Sequence, residues 1–461
     1  MPSLMQDVIL GGLTDAEGQP IMGPDGKAVA STSPDFTSIH PAPDGSLWAV
    51  AQFESPQPAA VYLIGLDQDK ASSEIGSGRA ASGKLTPKSL SPVSFSKWGG
   101  VWNLCAGSVS PWNTHLGGEE YEPDARAILE ATSIDGDEDT SLKNLDEDAA
   151  ANLVEFLRFY GEGYNASTPM DTVRELFNPY RYGYMIEVVP PRAASGAPEA
   201  RKLYTLGRNS KELVAVMPDN KTAYITDDGT NVAFFKFVAD KAGDVSAGTL
   251  YGAKATQTDD VDGGAFDLTW IELGHLTQDE VAALIQKTTF SDIFEVAEPE
   301  NGTCPDGFKS INAYVRLHEC LKLKAGMEKA AAALETRRYL ALLGGTTEFS
   351  KWEGLTFSPT RNEIYTSISE VRYGMEDSKK KGEAEPKYDQ GGPNDVRLEW
   401  NRCGCVYKLA LDESYSATRM EALLCGTPNP DTSDEKNTCA TDNIANPDNL
   451  SVVDDHALLF I

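Results

Sequence analysis

A strand-turn-strand unit recurs along the chain and limits the folds that this sequence can adopt. Each copy has an apolar strand, a tight turn and a second apolar strand. The copies are "FTSIHPAPDGSLWAVAQFE" from Phe36, "ELVAVMPDNKTAYITDD" from Glu212, "EGLTFSPTRNEIYTSISE" from Glu353 and "DNLSVVDDHALLFI" from Asp448. Turn sequences rich in Pro, Asp, Asn and Gly separate runs of Val, Ile, Tyr and Phe, which indicates an all-β chain.

Antiparallel units that repeat around an axis build β-propellers. We therefore expect a β-propeller of about six blades, formed as a single domain over residues 1–461. A β-sandwich and two unrelated β domains are the alternatives. Helical periodicity is confined to three stretches near 147–161, 277–286 and 326–343, which we expect to be insertions in the propeller.

Three of the four units begin with an acid at the same position: Glu212, Glu353 and Asp448. In a propeller the innermost strand of each blade lines the central channel, so equivalent residues of different blades converge near the axis. Carboxylates that meet there repel one another, and burying them without partners is costly in free energy. The shared position therefore predicts bound cations. Three separate surface acids beside turns are the alternative.

Two short motifs contain further candidate ligands. Asp227 and Asp228 lie at the end of a second strand in "YITDDGTN", and Glu119 and Glu120 follow "THLGG". Oxygen-rich groups of this kind suit calcium. Cys105 precedes the glutamate pair in "NLCAGSVSPWNTHLGGEEYEP", and a thiolate beside carboxylates suits a softer transition metal. A simple turn at the Asp-Asp-Gly sequence and a buried structural cysteine are the alternatives.

The cysteines indicate the compartment of the protein. Of the seven cysteines, six can pair, and Cys105 stands far along the chain from the rest. Disulfides persist in oxidising compartments, so bridges among the other six would make the protein secreted or periplasmic. Six reduced cysteines in a cytosolic protein are the alternative. The six are Cys304, Cys320, Cys403, Cys405, Cys425 and Cys439.

Charge and hydropathy narrow the set of partners. The net charge of −30 disfavours nucleic acid and anionic membranes and favours cations. The sequence has no apolar run of the ~18 residues that a membrane span needs, and no export signal is visible. We expect a monomer. Because the chain stops inside the apolar stretch "HALLFI", we also expect the propeller to be incomplete at its C-terminus.

Several motifs carry a family resemblance. The stretch "LCAGSVSPWNTHLGGEEYEPDAR" resembles the Cys-Ala-Gly, Thr/Ser-Pro-Trp and Glu-Glu signature of the PhoX-type alkaline phosphatases. Further similar segments follow in the family's order: "GRNSKELVAV", "DDGTNVAFFKFV", "SKWEGLTFSP" and "NPDNLSV". The resemblance covers the chain from about Phe36 to Ile461. It implies an exported β-propeller that hydrolyses small phosphate esters at a mixed iron and calcium cluster.

The resemblance also implies roles for individual residues. The metals would bind the phosphate oxygens and neutralise the charge that develops on them. The implied iron or bridging ligands are Cys105, Glu212, Glu353 and Asp448. The implied calcium candidates are Glu119, Glu120, Asp227 and Asp228.

The sequence departs from the family pattern at positions that matter for catalysis. Lys351 stands where the family has an arginine two positions before the glutamate of its Arg-Pro-Glu segment, and Lys211 stands where it has a histidine. A lysine is a point charge without the arginine fork. We expect Lys351 and Arg208 to hold phosphate oxygens. The lysine-rich stretch 377–387, "DSKKKGEAEPK", is interpreted as a solvated loop.

Two alternative functions stay open at this point. The first is a non-catalytic, calcium-binding, secreted propeller that serves as a scaffold. The second is another calcium-dependent propeller hydrolase, such as a lactonase or a phytase. Metal content distinguishes them, because iron together with calcium indicates the phosphatase and calcium alone indicates the alternatives.

Overall fold

The structure is a computed structural model of the chain. The chain divides into two compact units, and the prediction of a single domain over 1–461 stays a prediction. Unit 1 comprises Met1–Gly117, Ala131–Asn178 and Ile186–Lys202. Unit 2 comprises Gly118–Glu130, Pro179–Met185 and Leu203–Ile461. The structure describes residues 8–54, 58–69, 83–134, 145, 147–314, 316–430 and 436–461.

Strands dominate the described residues, as the sequence predicts. In chain order they are β1 (Pro34–Pro41), β2 (Leu47–Phe53), β3 (Ala60–Gln68), β4 (Leu85–Pro92), β5 (Leu104–Val109), β6 (His115–Glu119), β7 (Met185–Val189), β8 (Glu199–Leu203), β9 (Lys211–Val216), β10 (Thr222–Asp227), β11 (Thr230–Val232), β12 (Phe235–Lys241), β13 (Asp244–Asp259), β14 (Ala265–Thr277), β15 (Phe294–Ala297), β16 (Lys309–Ala313), β17 (Arg316–Leu323), β18 (Phe349–Ser350), β19 (Trp352–Ser358), β20 (Glu363–Ile368), β21 (Lys379–Lys380), β22 (Glu383–Ala384), β23 (Cys405–Leu411), β24 (Ala417–Cys425), β25 (Ser451–Val453) and β26 (Leu458–Phe460).

Each of the four predicted strand-turn-strand units is an antiparallel hairpin. The pairs are β1 with β2, β9 with β10, β19 with β20, and β25 with β26. Turn residues fix the register because they set which residues of the two strands face each other. The repeat predicted from the sequence is therefore a repeat of structure.

Short helices interrupt the strands, including the three stretches with helical periodicity. Thr277 caps α4, since its side chain accepts from the backbone of Glu280. The stretch 326–343 is divided into two helices at Glu335, whose backbone leaves the helical region. The helices are α1 (Ala125–Glu130), α2 (Glu147–Leu157), α3 (Met170–Leu176), α4 (Gln278–Lys287), α5 (Phe290–Ile293), α6 (Glu328–Leu334) and α7 (Thr336–Leu342). No helix among the described residues is both long enough and apolar enough to cross a membrane.

Unit 1 is built on a four-stranded antiparallel sheet in the order β1-β2-β3-β4. A second sheet, β5-β6-β7-β8, has most of its residues in the same unit. Side chains of β2, β3, β5 and β7 form a buried core that includes Trp48, Val61, Leu104 and Ile186. Burying one such aliphatic side chain contributes about 1.5–3 kcal/mol, so this core stabilises the strand that carries Cys105.

A buried hydrogen-bond chain crosses unit 1. Ser38 Oγ lies 2.6 Å from His40 Nε2 and 2.7 Å from His115 Nδ1, and His115 Nε2 lies 2.8 Å from Gln52 Oε1. The Gln52 oxygen can only accept, so His115 carries its proton on Nε2 and accepts from Ser38. Gln52 in turn donates to the Cys105 carbonyl. Burial, reinforced by the His40 charge, lowers the pKa of His115 to about 3.

We expect the free energy of unfolding to decrease below pH ~6.5 because of His115. In that range the unfolded chain binds a proton that the folded chain excludes, so stability falls by about 1.4 kcal/mol per pH unit. Burial also lowers the pKa of His40. Protonation of His40 in the unfolded chain therefore decreases the free energy of unfolding further at low pH. Urea unfolding at about pH 7 and about pH 5.5 measures the slope. His115→Gln should reduce this slope. The control His275→Gln, at an exposed site, should leave the slope unchanged. A slope in His115→Gln equal to that of the wild type would contradict this account.

Unit 2 contains a nine-stranded sheet in the order β19-β20-β23-β24-β14-β13-β12-β10-β9. Each end of this sheet is a four-stranded antiparallel meander that begins with a predicted repeat unit. The long β13-β14 hairpin joins the meanders, because β14 pairs with β13 along its whole length while its first three residues also pair with β24 on the other edge. The first strands of the two repeat units, β9 and β19, lie side by side.

Three disulfides pair the six cysteines outside Cys105. They join Cys304 to Cys320, Cys403 to Cys439, and Cys405 to Cys425. The sequence left this connectivity open, because six cysteines allow fifteen pairings. All three bridges lie in unit 2.

Candidate metal centre

The neighbouring strands β9 and β19 bring together the three acids that begin the repeat units. Glu212 is the second residue of β9 and Glu353 is the second residue of β19. Asp448 reaches the same place because its carbonyl accepts from the Gly354 backbone at 3.2 Å. One carboxylate oxygen from each of Glu212, Glu353 and Asp448 lies within 4.8 Å of the other two. Glu212 and Glu353 are buried, whereas Asp448 is exposed.

Gly354 makes this approach possible. A Cβ atom at this position would lie 2.6 Å from the Asp448 carbonyl oxygen, which is closer than real Cβ contacts. The chain that carries Asp448 can therefore pass directly over β19 only because residue 354 has no side chain.

Two further acids complete what we call the acid cluster: Glu120, Glu212, Asp228, Glu353 and Asp448. Asp228 Oδ2 accepts from the Tyr121 hydroxyl at 2.7 Å and from Lys351 Nζ at 2.6 Å. The Glu120 carboxyl is hydrogen-bonded to Asp228. Asp228 Oδ1 is buried, and no N–H or hydroxyl donor in the described part of the chain reaches it.

Lys351 lies between two of the acids. Its Nζ contacts Asp228 Oδ2 and, at 2.9 Å, Glu353 Oε1. Ser369 Oγ donates to the same Glu353 oxygen at 2.8 Å. A buried charge is tolerated only when it is paired and hydrogen-bonded, so the ammonium and the hydroxyl stabilise this side of the cluster.

The electrostatics of the cluster reflect burial and mutual repulsion of carboxylates. Burial, followed by the Asp228 charge, raises the pKa of Glu353 to about 7. Burial and the Glu212 and Asp228 charges raise the pKa of Glu120 well above its usual value. Burial also opposes ionisation of Asp228, but Lys351 and the hydrogen bonds to Asp228 hold its pKa below normal. Such a set of carboxylates either retains protons or binds cations.

Two residues of the acid-cluster environment, Tyr121 and Lys351, and two residues near it have left-handed backbone. Tyr121, Asn231, Tyr314 and Lys351 have positive φ angles of 47°, 52°, 61° and 52°. Side chains other than glycine rarely adopt this region, and each such residue costs on the order of 1–3 kcal/mol. Strain of this kind persists mostly at functional sites, where the surroundings impose it.

Three predicted site residues have other partners. Asp227 accepts from Arg337 through both oxygens, at 2.6 and 2.8 Å. Glu119 Oε2 accepts from two consecutive backbone N–H groups, those of residues 183 and 184, at 3.1 Å each. The Arg208 guanidinium donates to backbone carbonyls, and none of these partners belongs to the acid cluster. The contacts of these three residues stabilise the folded backbone of unit 2.

Cys105 lies on β5 in unit 1. Its Sγ is 3.7 Å from Asp35 Oδ2, and Glu54 contributes a third potential ligand atom to this group. The role of Cys105 as an iron ligand stays a prediction.

Two residues that support the acid cluster were not identified from the sequence. Tyr121 directly follows the Glu-Glu pair, so its position in the motif was an available signal. Ser369 follows the second strand of the Glu353 hairpin, and its contact with Glu353 depends on the pairing of Trp352 with Ile368. That register is a property of the folded hairpin and gives no local sequence signal.

The donor set of the acid cluster fits hard cations. Carboxylate oxygens supply the available donors, and calcium is bound by such oxygens. The buried Asp228 Oδ1 is a further oxygen that a cation would satisfy.

An all-β fold of hairpin meanders with a buried carboxylate cluster defines a propeller-type protein with a candidate metal centre. The chain belongs to the PhoX alkaline phosphatase family: the family described as "Alkaline phosphatase PhoX" matches residues 68–461. It is therefore a phosphoric monoester hydrolase. Among curated protein sequences none matches this chain.

A solved structure confirms the fold class. "Pseudomonas fluorescens PhoX in complex with vanadate, a transition state analogue" is similar to this chain with a TM-score of 0.56 and 16% sequence identity. The match covers 97% of this chain and 79% of that one. The likeness shows the propeller fold that the repeat predicts.

Proposed function

We propose that the acid cluster is the metal centre of an alkaline phosphomonoesterase that holds iron and calcium and hydrolyses small phosphate esters. The observation that carries this proposal is the convergence of Glu212, Glu353 and Asp448, with oxygens within 4.8 Å of one another, in a chain of the PhoX family. When bound, the cations would neutralise the charge on the phosphate oxygens of the ester.

Lys351 is the residue of this chain best placed to bind the phosphate. An ammonium has three N–H donors, and Lys351 donates two of them to Asp228 and Glu353. No third acceptor is found among the described residues, so the remaining N–H can donate to a phosphate oxygen. A lysine offers one charged hydrogen bond where the family's arginine offers a bidentate pair, so binding depends more strongly on the acid cluster.

The other residues of the cluster orient the carboxylates. The raised pKa of Glu120 favours its protonated form, and in that form Glu120 donates a hydrogen bond to Asp228. Tyr121 and Ser369 donate to Asp228 and Glu353. Hydrogen bonds to ligating carboxylates fix their orientation toward a metal.

We include Cys105 in the proposal as the iron ligand, and we assign no catalytic role to Glu119, Asp227 or Arg208. The contacts of these three residues support a structural role. The single propeller domain is also part of the proposal.

We further propose that the protein is exported and acts as a monomer. Three disulfides support an oxidising compartment, outside the cell or in the periplasm. The net charge of −30 keeps such a protein soluble and disfavours binding to nucleic acid.

Metal analysis of the purified protein tests the proposed cofactors. We expect iron together with calcium in the wild type, and loss of the iron in Cys105→Ala because the thiolate is the soft ligand. Readdition of calcium to chelated protein should raise the free energy of unfolding by about 2.7 kcal/mol at a hundredfold excess over Kd. Calcium without iron would contradict the iron assignment and support the calcium-binding scaffold or another calcium-dependent hydrolase.

A further inference from the structure

Three basic side chains converge on one aromatic ring in unit 2. Lys380 Nζ and Lys381 Nζ lie 5.5 and 5.8 Å from the ring centroid of Tyr373, and the Arg372 guanidinium carbon lies 4.7 Å from it. Tyr373 stacks on Tyr388, with the ring centroids 5.1 Å apart. We call these five side chains the tyrosine-lysine cluster.

The positive charges of the tyrosine-lysine cluster are only partly neutralised. Arg372 donates to Glu370 at 2.8 Å, but its Nε is buried, and no acceptor in the described residues reaches it. Across the same part of the chain, Lys380 and Lys381 have no ion pair. A cation-π contact is worth only ~0.5–1 kcal/mol at an exposed site, while the like charges repel one another. An anion among them would be stabilised.

No acid of this loop forms an ion pair with Lys380 or Lys381 among the described residues. Asp389 accepts from the Ser378 backbone, and Glu385 accepts from the Lys387 backbone. Glu383 is opposite Lys380 in the β21-β22 pair, but its side chain is exposed and makes no ion pair in this part of the structure. The lysines therefore remain available to a ligand.

The loop that presents the lysines is built by one buried carboxylate. Glu376 Oε1 accepts from the backbone of Tyr373 at 2.9 Å and of Lys381 at 2.7 Å, and its Oε2 accepts from Gly382 at 2.7 Å. Tyr373 and Lys381 have φ angles of 55° and 52°, a strained conformation that Glu376 maintains. The stretch predicted as a solvated loop is thus folded back onto Tyr373.

The tyrosine-lysine cluster lies close along the chain to the acid cluster. The Arg372 carbonyl accepts from Ser350 Oγ at 3.1 Å, and Ser350 directly precedes Lys351. Ser369, which donates to Glu353, is three residues before Arg372. Three residues span at most about 11 Å, so the backbone of Arg372 lies near the side of the acid cluster that Ser369 contacts.

We propose that the tyrosine-lysine cluster binds a second phosphate group of the substrate, on the leaving-group side of the ester that is hydrolysed at the acid cluster. This inference rests on the proposed function. It makes phosphomonoesters with a further phosphate group the preferred substrate class. The lysines and Arg372 supply charge-assisted hydrogen bonds to such a group.

Substrate selectivity tests the subsite. The probes are glucose 1,6-bisphosphate, which carries a second phosphate, and glucose 6-phosphate, which does not. In the double variant Lys380→Ala/Lys381→Ala we expect the ratio of the two KM values, bisphosphate to monophosphate, to rise at least fivefold. The matched control Lys387→Ala removes a lysine of the same loop that does not contact Tyr373, and its ratio should equal that of the wild type. An unchanged ratio in the double variant would overturn the proposal.

A second measurement does not depend on turnover. Inorganic pyrophosphate should slow acetylation of Lys380 and Lys381 in the intact protein, relative to Lys387, as read by mass spectrometry of peptides. If neither sugar phosphate is hydrolysed, the proposed function fails for sugar phosphates, but the acetylation pattern still decides whether the subsite exists. Equal acetylation rates with and without pyrophosphate would overturn it.

Discussion

Replacing Glu353 by Gln is expected to reduce kcat/KM for p-nitrophenyl phosphate by roughly 10³-fold, the loss typical of removing one electrostatic group from an active site. Glu353 is the residue at which the proposed metal centre and the phosphate-binding lysine meet, since its Oε1 contacts Lys351 Nζ and accepts from Ser369. The amide keeps the size of the side chain but removes the charge. A cation would lose an anionic oxygen ligand, and Lys351 would lose one of its two acids.

The control for this prediction is Glu363→Gln. Glu363 lies on the same hairpin, at the turn end of β20, where its carboxylate accepts from the Tyr365 hydroxyl. The chemical change is identical, so activity should stay at the wild-type level. Unchanged activity in Glu353→Gln, with the β-type circular dichroism retained, would show that the acid cluster does not catalyse the reaction.

The hairpins of this fold were predictable because each is a local unit. An apolar run, a turn with Pro, Asp, Asn or Gly, and a second apolar run specify an antiparallel pair without reference to the rest of the chain. The fusion of two meanders into one nine-stranded sheet was not predictable. It depends on the contact of Ala265–Asp267 with Arg419–Glu421, and such distant pairing has no local signal.

Strand alternation explains why only part of the predicted site came together. Successive side chains of an extended chain point to opposite sides. Asp228 therefore joins Lys351 while the adjacent Asp227 pairs with Arg337. The glutamate pair divides in the same way, because Glu120 contacts Asp228 while its neighbour binds backbone N–H groups. Each acidic pair predicted as calcium ligands thus contributes one residue to the acid cluster.

Lys351 could be located from the sequence, but its partners could not. The family resemblance placed it near a phosphate, two positions before Glu353. Its contact with Asp228 arises because the Lys351 backbone N–H donates to the Gly229 carbonyl at 2.8 Å, which brings two distant segments together. The ammonium is therefore part of the acid cluster as well as a candidate phosphate ligand.

Replacing Lys351 by Met is expected to increase calcium affinity at least tenfold and to decrease phosphatase activity. The ammonium lies 2.6 Å from Asp228 and 2.9 Å from Glu353, so it competes with a divalent cation for these two acids. Removing a unit charge a few ångströms from a cation removes a repulsion of several kcal/mol at an effective dielectric constant of ~20. A tenfold gain in calcium affinity corresponds to only about 1.4 kcal/mol of the repulsion that is removed.

Calcium titration of metal-stripped protein measures this affinity, and two variants separate the local effect from the change in net charge. Lys254→Met removes the same charge from an ion pair with Asp395, at 2.5 Å. It should leave calcium affinity within about twofold of wild type, because the partner of Lys254 is not an acid of the cluster. Lys351→Arg keeps the positive charge and should not gain affinity. If Lys351→Met bound calcium no more tightly than Lys254→Met, the ammonium would not compete for the metal site, and its contacts would serve the fold alone. A gain confined to Lys351→Met, together with lost hydrolysis, would show that one side chain both limits cation binding and holds the phosphate.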